Sequence, residues 1–433
     1  MIKVKVFQSG SGDCLLLSGS GRNILVDGGF IGTFTDNTRP ALAEIARRGE
    51  KLDLVCVSHI DSDHISGILQ LMDDILAWRV FDFQNKQKNG KFKEPKFDRL
   101  PEIAEIWHNG FETQIGETAG DFESTVGMQV QASILSGNWL LAEAGQNLIN
   151  GQQQAIELAH MIDPALLNIP LNTPTNGEPI VLLDSAPAKY KVGEITLHLL
   201  GPFKEDLDKL HQEWTVWLKA NQRKLRSLQE QAGENARRLG LNEEAALAQT
   251  MQMLAAELGD RTEVTTPNLA SITFLAEENG RLVLMTGDAH ANEILKGLRL
   301  HQFLPAEGGT MHINVLKIQH HGAEANIDEA FCKAVTADHY IFCGNGDYDN
   351  PELEVVELVV NSRVGEGADT GENPIINKPF TLWFNSSEAA AGTELRAEHM
   401  RKVREKVEEL VKEREDKISF KFLEGEPSFE IEL

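Results

Sequence analysis

Several things are scarce in this chain. No apolar run approaches the roughly 20 residues that a membrane-spanning helix needs, so no membrane association is expected. The opening Met1-Ile-Lys-Val-Lys-Val enters a strand pattern at once, so no secretory leader is expected. There are four cysteines (Cys14, Cys56, Cys332, Cys343), none in Cys-x-x-Cys spacing. That excludes a disulfide scaffold and reads as core thiols in a reducing cytoplasm. Basic residues are outnumbered, 41 Lys and Arg against 66 Asp and Glu, and the net charge is -25. Such a charge argues against broad nucleic-acid binding, but not against a local basic groove or bound metal ions. No Gly-x-Ser-x-Gly stretch is present, so a serine nucleophile elbow is not expected.

The most informative stretch is His59-Ile-Asp61-Ser-Asp63-His64. It follows the apolar run Leu52–Val57, read as a buried strand, and precedes Ile65-Ser-Gly-Ile-Leu69, read as a starting helix. A loop between strand and helix can aim two imidazoles and two carboxylates at one point. Those are the donors that hold zinc, manganese or iron. Two later strands end in the same chemistry. Arg281-Leu-Val-Leu-Met-Thr-Gly-Asp288 ends in a carboxylate, and Asn314-Val-Leu-Lys-Ile-Gln-His320-His321-Gly322 ends in a histidine pair. Near the start, Asn23-Ile-Leu-Val-Asp27-Gly28-Gly29 is a strand ending in Asp-Gly-Gly.

Taken in order, these four motifs resemble the metallo-β-lactamase fold superfamily. The Asp at the second position of the His loop, with the His-His-Gly element, resembles the hydrolase domain of ComEC-type DNA-uptake proteins and their soluble relatives. Ser9-Gly-Ser-Gly-Asp13-Cys14, Asn268-Leu-Ala-Ser271-Ile272 and Cys343-Gly-Asn-Gly-Asp-Tyr348-Asp-Asn350-Pro351 resemble further elements of that group. The resemblance covers residues 1–85 and about 180–205 and 265–362. It implies an α/β fold, a metallo-β-lactamase-like αββα sandwich, and two divalent ions, zinc or manganese. It implies a hydrolase that uses metal-activated water, with a phosphodiesterase or nuclease as the favoured class. Its implied metal ligands are His59, Asp61, Asp63, His64, Asp288 (bridging) and His321. Asp63 and His320 are the expected catalytic groups, His320 as second-layer residue or proton donor. Asp27 is expected to orient a ligand histidine.

The chain also departs from that pattern. Asp349-Asn350 stands where the relatives carry Gly-His, and Asn268 lies near where a further histidine of the superfamily would fall. Asn350 through its carbonyl, or Asp349, is the candidate replacement, and manganese accepts such oxygen donors readily. Alternatives to the phosphodiester reading are hydrolysis of a small ester or lactone, and an interaction module with a vestigial metal site.

Residues 1–362 are expected to form the hydrolase domain, with insertions at about 85–180 and 203–264, and 363–433 an extension that completes or caps it. Trp78–Phe83 reads as a strand. Asn85–Lys96 reads as a loop near the metal loop, whose Lys86, Lys88, Lys91, Lys93 and Lys96 suit a nucleic-acid substrate. The second insertion keeps helical spacing through Leu207, Trp214, Trp217, Leu225 and Leu228, breaks at Gly240 and resumes at Leu247. It reads as a helical hairpin with a surface for a protein partner. Its basic Lys219, Arg223, Lys224 and Arg226 are a second candidate face for substrate. A charged helix around Met400–Leu410 is followed by Ile418–Phe422 and Ser428–Leu433, read as a terminal β-hairpin.

Overall fold

The computed structural model describes residues 2–88, 93–109, 154–209, 268–364 and 375–433, apart from 156, 160, 165, 184–186, 269, 413 and 415. Nearly all of the expected helical hairpin, Lys91 and the basic group at 219–226 lie outside those residues.

Two mixed sheets stack face to face. The first runs in the order β14-β1-β2-β3-β4-β5. Its strands are β1 (Lys3–Phe7), β2 (Leu15–Gly19), β3 (Arg22–Val26), β4 (Leu54–Cys56), β5 (Ile106–Trp107) and β14 (Ser428–Glu432). The second runs β13-β12-β11-β10-β9-β8-β7-β6. Its strands are β6 (Lys189–Val192), β7 (Ile195–Gly201), β8 (Thr273–Glu278), β9 (Arg281–Met285), β10 (Met311–Lys317), β11 (Val335–Phe342), β12 (Phe380–Phe384) and β13 (Ile418–Phe422).

Side-chain alternation makes the layers. Val4, Val6, Leu17, Ile24 and Cys56 from the first sheet meet Leu197, Leu199, Phe274, Ala276 and Val283 from the second in one buried cluster. On β8 and β9 the intervening Leu275 and Leu284 point the other way. They pack with helices α3 (Ala291–Leu300), α4 (Glu329–Ala334), α5 (Leu353–Arg363) and α6 (Glu394–Lys412). The outer face of the first sheet is covered by α1 (Arg39–Arg47) and α2 (Ser62–Lys86), through Leu42, Ile45, Ile65, Ile68 and Met72. The result is the expected α/β sandwich in four layers, αββα.

Two expectations are corrected. Trp78–Phe83 is not a strand, because α2 runs unbroken for 25 residues through it. The apolar positions Ile65, Ile68, Leu69, Met72 and Ile75 keep helical spacing into the aromatic run, and that register overrides local strand preference. The terminal strands do not pair as a hairpin. β13 lies parallel to β12 in one sheet, while β14 lies antiparallel to β1 in the other. Each covers an otherwise open sheet edge, and Phe422 stacks on Phe384 at 4.3 Å between ring centroids.

Candidate metal centre

The candidate ligands sit at strand ends or in the loop and first helical turn that follow one, all on one rim of the sandwich. Asp27 follows β3, Ser58 and His59 follow β4, Asp288 follows β9, and His320 and His321 follow β10. Asp61 begins α2 with extended backbone, and its carbonyl accepts from the His64 and Ile65 amides at 2.9 and 3.1 Å. Its side chain makes no capping bond, which leaves the carboxylate free to face His59. Two glycines make the approach of these elements feasible. Gly67 on α2 packs so close to the loop after β3 that a Cβ there would lie 2.0 Å from the Gly28 carbonyl oxygen. Gly287 takes φ +49° with Ser58 and Ser271 at 3.1 Å from where a Cβ would stand, so the Thr-Gly-Asp turn admits no side chain there.

At the centre is one oxygen. Asp288 Oδ2 lies 3.4 Å from His64 Nε2, 3.5 Å from His321 Nε2, and 3.6 Å from both His59 Nε2 and His320 Nε2. Asp61 Oδ2 lies 3.6 Å from His59 Nε2, and Asp63 Oδ2 lies 3.2 Å from His321 Nε2 and 3.8 Å from that of His64. Most of these separations are too long for hydrogen bonds, which peak near 2.9 Å. They suit ligands sharing an ion, since bonds of about 2.1 Å at tetrahedral angles put donors roughly 3.4 Å apart. His59 Nε2, Asp61 Oδ1, His64 Nε2, Asp288 Oδ1 and His321 Nε2 are all buried without a hydrogen-bond partner. Buried polar atoms left unpaired in a ring are what a bound cation would satisfy. The donor set therefore fits divalent metal.

The opposite nitrogen of three of the histidines is hydrogen-bonded, and that of the fourth faces a carboxylate. His64 Nδ1 meets Asp27 Oδ2 at 2.9 Å, His59 Nδ1 meets Ser58 Oγ at 3.0 Å, and His320 Nδ1 meets Asn326 Oδ1 at 2.7 Å. His321 Nδ1 lies 3.3 Å from Asp13 Oδ1. This is how proteins fix the tautomer and direction of a metal-facing imidazole. Asp27 is itself held by the Ser58 amide and hydroxyl, each at 2.7 Å. Asp13 is paired with Lys317, whose ammonium also donates to the Gly287 carbonyl at 2.9 Å.

Charge follows this geometry. Burial works to raise the Asp288 carboxyl, but the imidazoles around it outweigh that and hold it well below the usual carboxylate range. Asp63 is likewise lowered against burial, chiefly by His64 and His321. His64 and His321 would be lowered by burial, yet Asp288 and its neighbouring carboxylates hold both well above the ordinary histidine value. Lys317, although 1% exposed, is raised because Asp13 and Asp288 outweigh its burial. The rim is an environment that favours positive charge.

The structure thus gathers His59, Asp61, Asp63, His64, Asp288, His320 and His321. Asn268 joins them, its Nδ2 3.4 Å from His320 Nε2. Asp349 does not: its side chain is 85% exposed and pairs with His399. Asn350 is buried with an unpartnered Oδ1. His290 caps α3 by accepting from the Asn292 amide. Asp13 has one signal in the sequence, an acid in a Gly-x-Gly-Asp turn between apolar strands, and that signal assigns it no role. Ser58 and Asn326 carried none. Lys86 lies about 36 Å along α2 from the metal loop, too far for the expected closeness. The chain then returns alongside α2 only as far as Trp78 and Asp82, which Phe97 and Arg99 contact. Lys86, Lys88, Lys93 and Lys96 are exposed at that remote end.

A model of the metallo-beta-lactamase superfamily matches residues 9–75, the segment that holds Asp13, Asp27 and the whole His loop. Microtubule-associated protein 1A of Rattus norvegicus is 23% identical over 308 residues, covering 68% of this chain and 9% of that protein. The human protein of that name is 23% identical over 305 residues, 68% and 8% respectively. The chain spans less than a tenth of the length of these relatives. Among solved structures, Igni18, a metallo hydrolase from Ignicoccus hospitalis, aligns over 100% of this chain and 99% of its own at 11% identity and a TM-score of 0.33. The metallo-beta-lactamase fold protein YhfI from Bacillus subtilis aligns over 100% of both at 10% identity and a TM-score of 0.32. The chain has a metallo-β-lactamase-type fold, and its rim carries a His/Asp cluster able to hold metal. Among the described residues no helix is long and apolar enough to cross a membrane.

Proposed function

We propose that this protein is a hydrolase of phosphodiester bonds that uses two divalent ions, zinc or manganese. The observation that carries the reading is the position of Asp288 Oδ2 among four imidazole Nε2 atoms, which suits one carboxylate shared by two ions. Such ions, when bound, lower the pKa of water and polarise a phosphoryl oxygen. The protein's part is to hold the donors still. Asp27, Ser58, Asp13 and Asn326 fix the imidazoles, and the absence of any serine elbow leaves water as the attacking group. A groove of about 300 Å³ lined by Ser11, Phe30, Asn345, Tyr348 and Arg396 opens next to the Gly12 turn. Gly12 in turn packs against the Asp63 backbone, which puts this groove on the side of the His loop. The phosphodiester class is supported by the ComEC-like motifs. The remote lysines and the charge of -25 favour a small phosphodiester over a long polynucleotide.

Metal content measured on purified protein, followed by assays with added manganese or zinc, tests this. Bis-p-nitrophenyl phosphate is expected to turn over, and Asp288→Ala to lose both ions and the turnover while keeping its fold. Turnover of lactones or thioesters alone rejects the phosphodiester class. A chain that takes up no metal rejects the enzyme and favours a second reading, an interaction module. That reading draws on the similarity to a protein named for association with microtubules.

A further inference from the structure

We infer that His320 and His321 serve different ions, and that His320 closes the first metal position in place of the further histidine that the resemblance puts near Asn268. This inference rests on the two-ion reading above. Asn326 is its positioning residue.

The argument begins with the backbone. His320 has φ 43° and ψ 51°, and His321 has φ 58° and ψ 8°. Two consecutive residues with side chains in the left-handed region are disfavoured, and such outliers persist where the surroundings impose them. In an extended strand, neighbouring side chains point to opposite faces. In this left-handed turn both rings stay on the rim, with centroids 5.6 Å apart and planes at 61°. His321 then reaches Asp63, and His320, whose approach to the carboxylates of the site is to Asp288 alone, is left for the other half.

The halves match. His321 Nε2 is 3.2 Å from Asp63 Oδ2, and His64 Nε2 completes that side, so Asp63, His64 and His321 surround one position. His59 and Asp61 lie together on the other side, 3.6 Å apart. Without His320 that side has two donors of its own plus the shared Asp288. His320 Nε2 stands as far from Asp288 Oδ2 as His59 Nε2 does, 3.6 Å in each case. Each position then has two imidazoles, one carboxylate of its own and the shared one.

The tautomer supports a ligand rather than a proton donor. Asn326 Oδ1 only accepts, so it requires the hydrogen of His320 on Nδ1, 2.7 Å away. That leaves the Nε2 lone pair as an acceptor, 3.6 Å from Asp288 Oδ2. Asn326 is itself fixed, being fully buried and donating through Nδ2 to the Asp288 carbonyl at 2.7 Å. Asn268, near which the resemblance puts a further histidine, brings its amide to 3.4 Å from His320 Nε2.

Cobalt titration followed by metal analysis and visible absorption provides the test. Wild-type chain is expected to hold two cobalt ions. His320→Ala is expected to hold one, with loss of the absorption of the first position. Asn326→Ala keeps His320 and the second ion, and is expected to weaken the first ion alone by about 10- to 100-fold. His321→Ala should weaken the other position. A folded His320→Ala chain that binds two ions with wild-type affinity and an unchanged spectrum overturns the inference. So does Asn326→Ala with wild-type affinity for both. Wild-type chain that binds fewer than two ions overturns the two-ion reading itself, and the variants are not needed to see it.

Discussion

His64 and Asp27 are wholly buried side chains joined at 2.9 Å, from Nδ1 to Oδ2. Asp27 spends its other contacts on Ser58, so one carboxylate positions both His64 and the residue that holds His59. Asp27→Asn replaces an acceptor oxygen with an amide that must donate or clash. It is expected to lower metal affinity by about 10- to 100-fold without removing any ligand. Competition against a chelator of known affinity measures it. Unchanged affinity in a folded variant would remove Asp27 from the metal centre.

Lys317 and Asp13 form a second buried pair, at 1% exposure each. Lys317→Met leaves a carboxylate in the core with only His321 beside it. Breaking one side of such a pair costs about 3–5 kcal/mol. Urea denaturation of metal-free protein should show a fall in unfolding free energy of that size. Adding Asp13→Asn to Lys317→Met should restore most of it, because the stranded charge is gone. If the double variant is no more stable than the single, the charge is not the cause.

Acid should weaken the fold through a buried histidine that is not among the candidate ligands. His108 is 1% exposed, neither ring nitrogen has a hydrogen-bond partner, and burial lowers its pKa to about 4. The unfolded chain, with an ordinary value near 6.5, binds that proton first, so the native state loses stability as pH falls from about 6.5 towards 4. The loss from this one group reaches about 3 kcal/mol at the lower end. His108→Phe has no proton to take up. The difference in unfolding free energy between variant and wild type should therefore change by that amount between pH 7 and pH 4. A constant difference would show that His108 titrates normally.

Much of the metal centre was legible because its donors lie at strand ends in short motifs. His59–His64, Asp288 and His321 could be read from their motifs together with the family resemblance that those motifs carry. The residues that orient them could not. Asn326 reaches His320 from six residues downstream, and Asp13 meets His321 across some 300 residues. Such partners are ordinary polar residues until the fold brings them together. The missed length of α2 had a consequence for function. An aromatic run taken for a strand let the lysine segment sit near the metals, whereas a continuous helix carries it away. The terminal strands were recognised but mispaired, since sequence shows how a strand alternates and not which open edge receives it.

Strand β1 has one neighbour in sequence, β2, and takes its other, β14, from the far end of the chain. During synthesis that flank of β1 stays unpaired until residues 428–432 have left the ribosome. An unpaired strand edge is a template for the wrong strand. Lys3 and Lys5 stand on this edge, and in the finished protein they pair with Glu430, with Glu432 also on Lys3. While β14 is still unmade, the same two ammonium groups repel a second nascent copy of β1. The lysines that later clasp the closing strand thus first act as guards against premature association.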